Sequence, residues 1–208
     1  MRLHLLRIIS GLNLRQMTNY PTKKLSLEEI KTNVRRMVVV SHYAHSLYKE
    51  FWFLRSRKMV GQIEAEKNVR AYKNFGYMFS TFEESSLIAF TVIFSQLFDN
   101  RSDVISLYNL NIECGQNYKS KIDNLKKSKE VESIIKLRHK FFAHKDNTGK
   151  HNNRIVLSSD SIEGLYRQIC DLYGEITGED ILIHDTSADE LHSVFDIVRE
   201  ASNRKFNN

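Results

Sequence analysis

The run Arg138-His139-Lys140-Phe141-Phe142-Ala143-His144 places a permanent cation and a titratable imidazole six positions apart at the end of an apolar helical stretch. Arginine stays protonated at any working pH and binds phosphate through a planar fork of donors, and it can stabilise charge building up on a pentacoordinate phosphorus. Histidine, with an ordinary pKa of roughly 6.5, can take a proton from a ribose 2′-hydroxyl or give one to a leaving 5′-oxygen near neutral pH. Cleavage of RNA without a metal requires those two functions.

Helix geometry limits how the two groups can work together. Six residues along one helix amount to about 9 Å of rise, with the two side chains roughly 120° apart around the axis. A long Arg side chain and an unwound helix end at His144 would narrow the gap. The structural alternative is plain: an Arg or a His near a helix C-terminus often only complements the helix dipole.

The elements that must position the pair are helical. The chain has 208 residues, one proline (Pro21) and eight glycines, so few places force a helix to break. An all-α single domain over residues 26–202 is expected, preceded by a flexible arm (residues 1–25, with Met17 as an alternative start) and followed by a frayed tail (203–208). Ser26-Leu27-Glu28-Glu29 reads as a capping box opening a long helix to about Lys58, with Ile30, Val34, Met37, Val38, Ala44 and Leu47 on one face. A second helical region runs from about Glu64 to Phe98, with Gly76 as a possible bend. It becomes almost wholly apolar from Leu87, which predicts neighbours on most sides. A short helix is expected from Ser102 and Asp103 to Leu110, then a loop at Gly115-Gln116-Asn117 and a cap at Ser120. One long amphipathic helix, Lys121 to Ala143, would deliver the Arg-His run at its end. Beyond a polar loop, a β-like bridge or helix entry at Ile155-Val156-Leu157 precedes a helix from Ser159 or Ser161 to near Gly178. Ile181 to Ile183 reads as extended, and a final helix runs from Ser187 to about Ala201.

A core helix ending in Leu-Arg-polar and three further residues before Ala-His, then a charged turn, resembles the Arg-x(4 to 6)-His signature of the HEPN superfamily. The preceding apolar helix, Ser86 to Asp99, closing on Leu-Phe-Asp, is also similar to the abortive-infection branch of that superfamily. The resemblance covers about residues 26 to 200. It implies an up-and-down helical bundle and a metal-independent endoribonuclease with Arg138 and His144 as catalytic residues. It also implies a homodimer with both motifs lining one cleft, and an antitoxin, of nucleotidyltransferase type or another, as a possible partner. Similar proteins can carry an acidic residue near the end of the apolar helix that packs toward the Arg-His region; Asp99 holds that place here, and could equally be a solvent contact. Where the family most often has Asn directly after the Arg, this chain has His139. That departure motivates an alternative, a catalytically inactive HEPN-like domain that dimerises and binds RNA or a partner.

Around the pair, His139 and Lys140 are candidates for positioning RNA, with Asp146 ranked below Asp99 as an accessory group. Lys145, Lys150, His151 and Arg154 give the following loop a positive rim suited to RNA. A net charge of +6 and a pI near 9.2 favour an anionic partner, because lysines and arginines release the counterions condensed on a phosphate backbone. Cys114 and Cys170 form neither a C-x-x-C pair nor a disulfide framework, which fits a reducing cytoplasm. No apolar run reaches the roughly 18 to 20 residues that span a bilayer, so no membrane association is expected. No cofactor and no resident metal are expected, and there is no Gly-rich phosphate loop.

Two further constellations could do chemistry. His42 and His45 share a helix face, as a metal site would want, but no Cys or carboxylate stands nearby in sequence to complete a shell; surface or interface histidines are the alternative. Tyr43, Tyr48, Phe51, Trp52 and Phe53 beside Arg55, Arg57 and Lys58 could stack bases, or form a core face with a solvated basic end.

Overall fold

The computed structural model describes residues 25–55, 62–143 and 159–183. Ser26 opens the first helix as a capping box: its amide donates to Glu29 Oε2 at 2.7 Å, and the Glu29 amide donates to Ser26 Oγ at 3.3 Å. Helix α1 then spans Leu27–Arg55 and α2 spans Gln62–Leu97, remaining helical through Gly76. Four more helices follow, α3 Leu107–Glu113, α4 Lys119–Lys126, α5 Lys129–Ala143 and α6 Ser159–Thr177. The fold is all-α, with no strand among the described residues.

Three boundaries differ from the sequence reading, each for a local reason. The short helix starts at Ser106, not at Ser102 or Asp103, because the buried Ser106 hydroxyl accepts the Asn109 amide while Arg101 to Ile105 form a turn. Ser120 is not a cap but lies inside α4; its N-cap residue is Tyr118, whose amide is taken by the side chain of buried Asn111 at 2.8 Å. The single helix expected from Lys121 to Ala143 is two helices. The Lys127 and Ser128 amides close α4 on Asp123 and Leu125, and Ser128 Oγ accepts the Val131 amide at 3.3 Å to start α5. At the far end, α6 stops where Gly178 takes a left-handed φ of 72°, a conformation only glycine adopts without strain. Residues 181–183 belong to no helix or strand. The expected features at Ile155 to Leu157, Ser187 to Ala201 and residues 203–208, and all of the arm but Leu25, lie outside the described residues.

Helices α1 and α2 pack along each other, α5 lies against α2, and α3 and α6 lie against α1. Their shared core contains Val34 and Val38 from α1, Phe90 and Phe94 from α2, Leu107 and Leu110 from α3, Ile134 from α5, and Ile162, Tyr166 and Ile169 from α6. Phe90, Phe94 and Phe98 stack up α2 at centroid spacings of 5.5 Å. Burying such side chains stabilises the fold by about 1.5 to 3 kcal/mol each. The apolar half of α2 is buried on one face only, since Ile88, Val92 and Ile93 remain partly exposed. Ion pairs tie the ends: Lys31 and Arg35 on α1 both hold Glu179 beyond α6, and Lys121 on α4 holds Glu175 on α6 at 2.6 Å.

Candidate active site

Arg138 sits on the last described turns of α5. Val131 and Ile134 are fully buried on that helix and Leu137 is 9% exposed, so the buried stripe fixes the helix's rotation and leaves Arg138 partly exposed at its side. Its field reaches Asp99, just past the end of α2. Asp99 is held in turn by Arg101, whose amide donates to Oδ1 at 3.1 Å and whose Nη2 donates to Oδ2 at 3.0 Å. Asn109 on α3 secures this turn by donating to the carbonyls of Arg101 (3.2 Å), Ser102 (3.3 Å) and Val104. Partial burial pushes the Asp99 carboxyl up, but the Arg101 hydrogen bonds and the charges of Arg101 and Arg138 outweigh it and hold the group below its usual value. Asp99 is therefore an anion held by the Arg101 guanidinium, with the charge of Arg138 acting on it from further off.

The remaining motif residues divide by position. His139 is exposed on α5. Lys140 lies in the helix, with its side chain outside the described region. His144, Lys145, Asp146, Lys150, His151 and Arg154 lie outside the described residues. Of the aromatic cluster on α1, Tyr43 and Tyr48 are partly buried, and the side chains of Phe51 to Arg55, with Arg57 and Lys58, are likewise outside.

The His42 and His45 pair is not on the surface of the chain. Both are buried, 6% and 5% exposed. The fold also supplies the carboxylate the neighbouring sequence lacks: Glu163 Oε2, from α6, lies 3.2 Å from His42 Nε2. Tyr166, one turn along α6, meets the His42 ring edge-on at 4.8 Å. His45 packs on Phe90 at 5.1 Å. Its Nδ1 and the Tyr166 hydroxyl are buried with no hydrogen-bond partner; Ser41 faces the phenol, but its hydroxyl donates to Val38 O at 3.0 Å. Burial, with the charges of His42 and Lys49, lowers His45 to about 4, so it is neutral at physiological pH. Glu163 and Tyr166 were not foreseen; their only sequence signal is spacing on an amphipathic helix, which any core helix shows. Among the described residues no three His, Cys, Asp or Glu gather as a metal site would need, and no helix there is long and apolar enough to cross a membrane.

Comparison of the chain with protein-family models, with curated proteins and with solved structures finds no match. Its functional reading rests on its own residues.

Proposed function

We propose that this chain is a metal-independent endoribonuclease of the HEPN type, a toxin or phage-defence effector of the cytoplasm that works as a homodimer restrained by an antitoxin. The observation that supports the reading best is the neighbourhood of Arg138. The motif arginine is partly exposed at the end of a well-anchored helix, and the acid singled out beside the motif, Asp99, lies within its field. An arginine serving only the helix dipole needs no such anion, clamped by a neighbouring turn.

In this reading His144 withdraws the proton of a ribose 2′-hydroxyl, whose oxygen then forms a bond to the adjacent phosphorus. Arg138 stabilises the charge on the phosphorane oxygens. The bond from phosphorus to the 5′-oxygen breaks as that oxygen takes a proton from solvent water, leaving a 2′,3′-cyclic phosphate and a 5′-hydroxyl end. Proton transfer by a placed imidazole accelerates such a step by about 10² to 10⁴.

The test is incubation of purified protein, and of its His144→Ala and Arg138→Ala variants, with tRNA and mixed-sequence RNA in EDTA, followed by analysis of product ends. Cleavage by wild type with cyclic-phosphate ends, and a rate lower by about 10² to 10⁴ in His144→Ala, is the expected result. A His144→Ala protein as fast as wild type would sink it. The second reading, a non-catalytic HEPN-like domain that dimerises and binds RNA or a partner, is favoured by one feature, His139 in place of the family's Asn. Cyclic-phosphate ends from wild type would exclude it.

A further inference from the structure

One strongly basic stretch of this chain lies on described helices. Residues 117–140 hold eight Lys and Arg against three Asp and Glu, a net of +5 against +6 for the whole chain. That segment folds as α4 and α5, and between them and α3 opens a surface cleft of about 450 Å³ bounded by Lys126, Lys127 and Lys136, with Asn100 at its edge. Its floor is built rather than incidental. The Tyr108 hydroxyl, on the buried side of α3, donates to Asp123 Oδ1 at 2.6 Å, and Lys126 Nζ stands 5.4 Å from the Tyr108 ring centroid. Lys127 and Lys136 are exposed on the rim, where Glu132, exposed too, accepts from Lys136 Nζ at 3.3 Å.

Position along α5 links this cleft to the motif. Ile135 and Lys136 line it, and His139 lies four and three residues further on, so the exposed imidazole continues the same helix stripe one turn later. Asn100, at the cleft's edge, stands in the chain between Asp99 and Arg101, and Asp99 lies within the field of Arg138. A chain of phosphates in the cleft would therefore pass His139 and arrive beside Arg138.

We propose that this α3–α4–α5 cleft is the binding track for single-stranded RNA, with Lys127 and Lys136 on the backbone phosphates and His139 leading the strand to Arg138. The proposal rests on the ribonuclease reading, and it moves the main RNA contact from the loop at 145–154 to the helical face. An unpaired strand suits a surface cleft with lysines on its rim. It is also the form in which a 2′-hydroxyl is free to line up with the neighbouring phosphate, whereas a duplex presents a wide, regular surface.

The experiment measures binding of a fluorescent single-stranded RNA and of a duplex DNA across a salt series in EDTA, by the full chain carrying His144→Ala so that nothing is cut. The same protein is compared with added Lys127→Glu and Lys136→Glu, with added Lys127→Gln and Lys136→Gln, and with Arg36→Glu, which changes the charge by as much as the Gln pair does, at an exposed site on α1. Expected are a loss of RNA affinity of at least about tenfold in the Glu pair, a smaller loss in the Gln pair, and a shallower salt dependence by about 1 to 1.5 in slope, with Arg36→Glu unchanged. Melting curves that match wild type for the Gln pair keep the comparison valid if the Glu pair folds poorly. Unchanged RNA affinity in both pairs overturns the cleft, as does an equal loss in Arg36→Glu; duplex DNA bound as tightly as RNA overturns the single-strand assignment. End analysis of wild-type products is scored separately, so cleavage with intact binding in the lysine variants condemns only the cleft, and absence of cleavage condemns the catalytic reading.

Discussion

Asp99 is the residue on which the catalytic reading can be separated from a structural one. Its carboxylate is shared between Arg101, which is largely exposed, and the field of Arg138. Asp99→Asn keeps the shape and a hydrogen-bond acceptor for the Arg101 amide, so thermal stability should change by less than about 1 kcal/mol, as for other exposed pairs. If Asp99 orients the Arg138 guanidinium, kcat for RNA cleavage should fall about 10- to 100-fold with little change in KM, as when outer partners of a reacting group are removed. Equal kcat in the variant would make Asp99 a helix-end contact only. His45 makes a different, thermodynamic prediction. Its folded value lies near 4, below the ordinary 6.5, so between those values the unfolded chain takes up a proton that the folded chain refuses. Stability therefore falls as pH drops through that window and levels off below about 4. The contribution between pH 7 and pH 5 is about 2 kcal/mol, and His45→Phe, set against Phe90, should remove it. Urea unfolding of both proteins at the two pH values checks this; parallel losses would show that His45 is not the group responsible. Spacing alone told that His42 and His45 share a face. Their burial and the Glu163 partner, 121 positions away, were not legible, because only packing of α6 on α1 creates them.

At the scale of elements, sequence and structure agree where one local rule acts alone and part where two compete. The Ser26 box and the Gly178 stop are single strong signals, and both stand where the spacing predicts them. Between Lys119 and Ala143 the apolar positions keep helical spacing on both sides of a six-residue step from Leu125 to Val131, with no glycine or proline in it, so the stretch reads as one helix. Ser128 breaks it, and a serine on a polar face looks like any other until its hydroxyl is seen to accept an amide. Ser120 looked like the better cap, yet Asn111, buried on α3, already serves the amide at Tyr118. These geometries rank the two serines: Ser128→Ala should destabilise the fold by about 1 kcal/mol and Ser120→Ala by a few tenths at most. Urea midpoints at pH 7 measure both, and a larger loss at Ser120 would contradict the boundary at Ser128. The break separates α4 from α5, and residues of both line the cleft proposed above as the RNA track.

For the whole molecule the proposed ribonuclease reading raises the question of how one Arg and one His, roughly 120° apart on a continuous helix, would act on one phosphate. Either the chain beyond Ala143 leaves the helix and brings His144 back toward its own Arg138, or the Arg of one copy works with the His of a second. In a two-fold dimer the same patch meets itself, so each cleft can hold an Arg from one protomer and a His from its partner. Mixing decides between them. Arg138→Ala and His144→Ala proteins are each expected to be inactive alone. Co-expressed with different tags and purified through both, they give a mixed dimer with one Arg138 and one His144 on separate chains. If the working pair is shared between copies, the mixed dimer regains about half the wild-type rate per dimer, one competent pair of two. If each chain uses its own pair, the mixed dimer stays as inactive as its parents, because neither chain carries both groups. The regained rate should also fall on dilution below the dimer's dissociation constant, and sedimentation at the same concentrations links the two curves. A chain that sediments as a monomer while wild type still cleaves would rule out the shared cleft and leave the return of His144 to its own Arg138 as the arrangement to test.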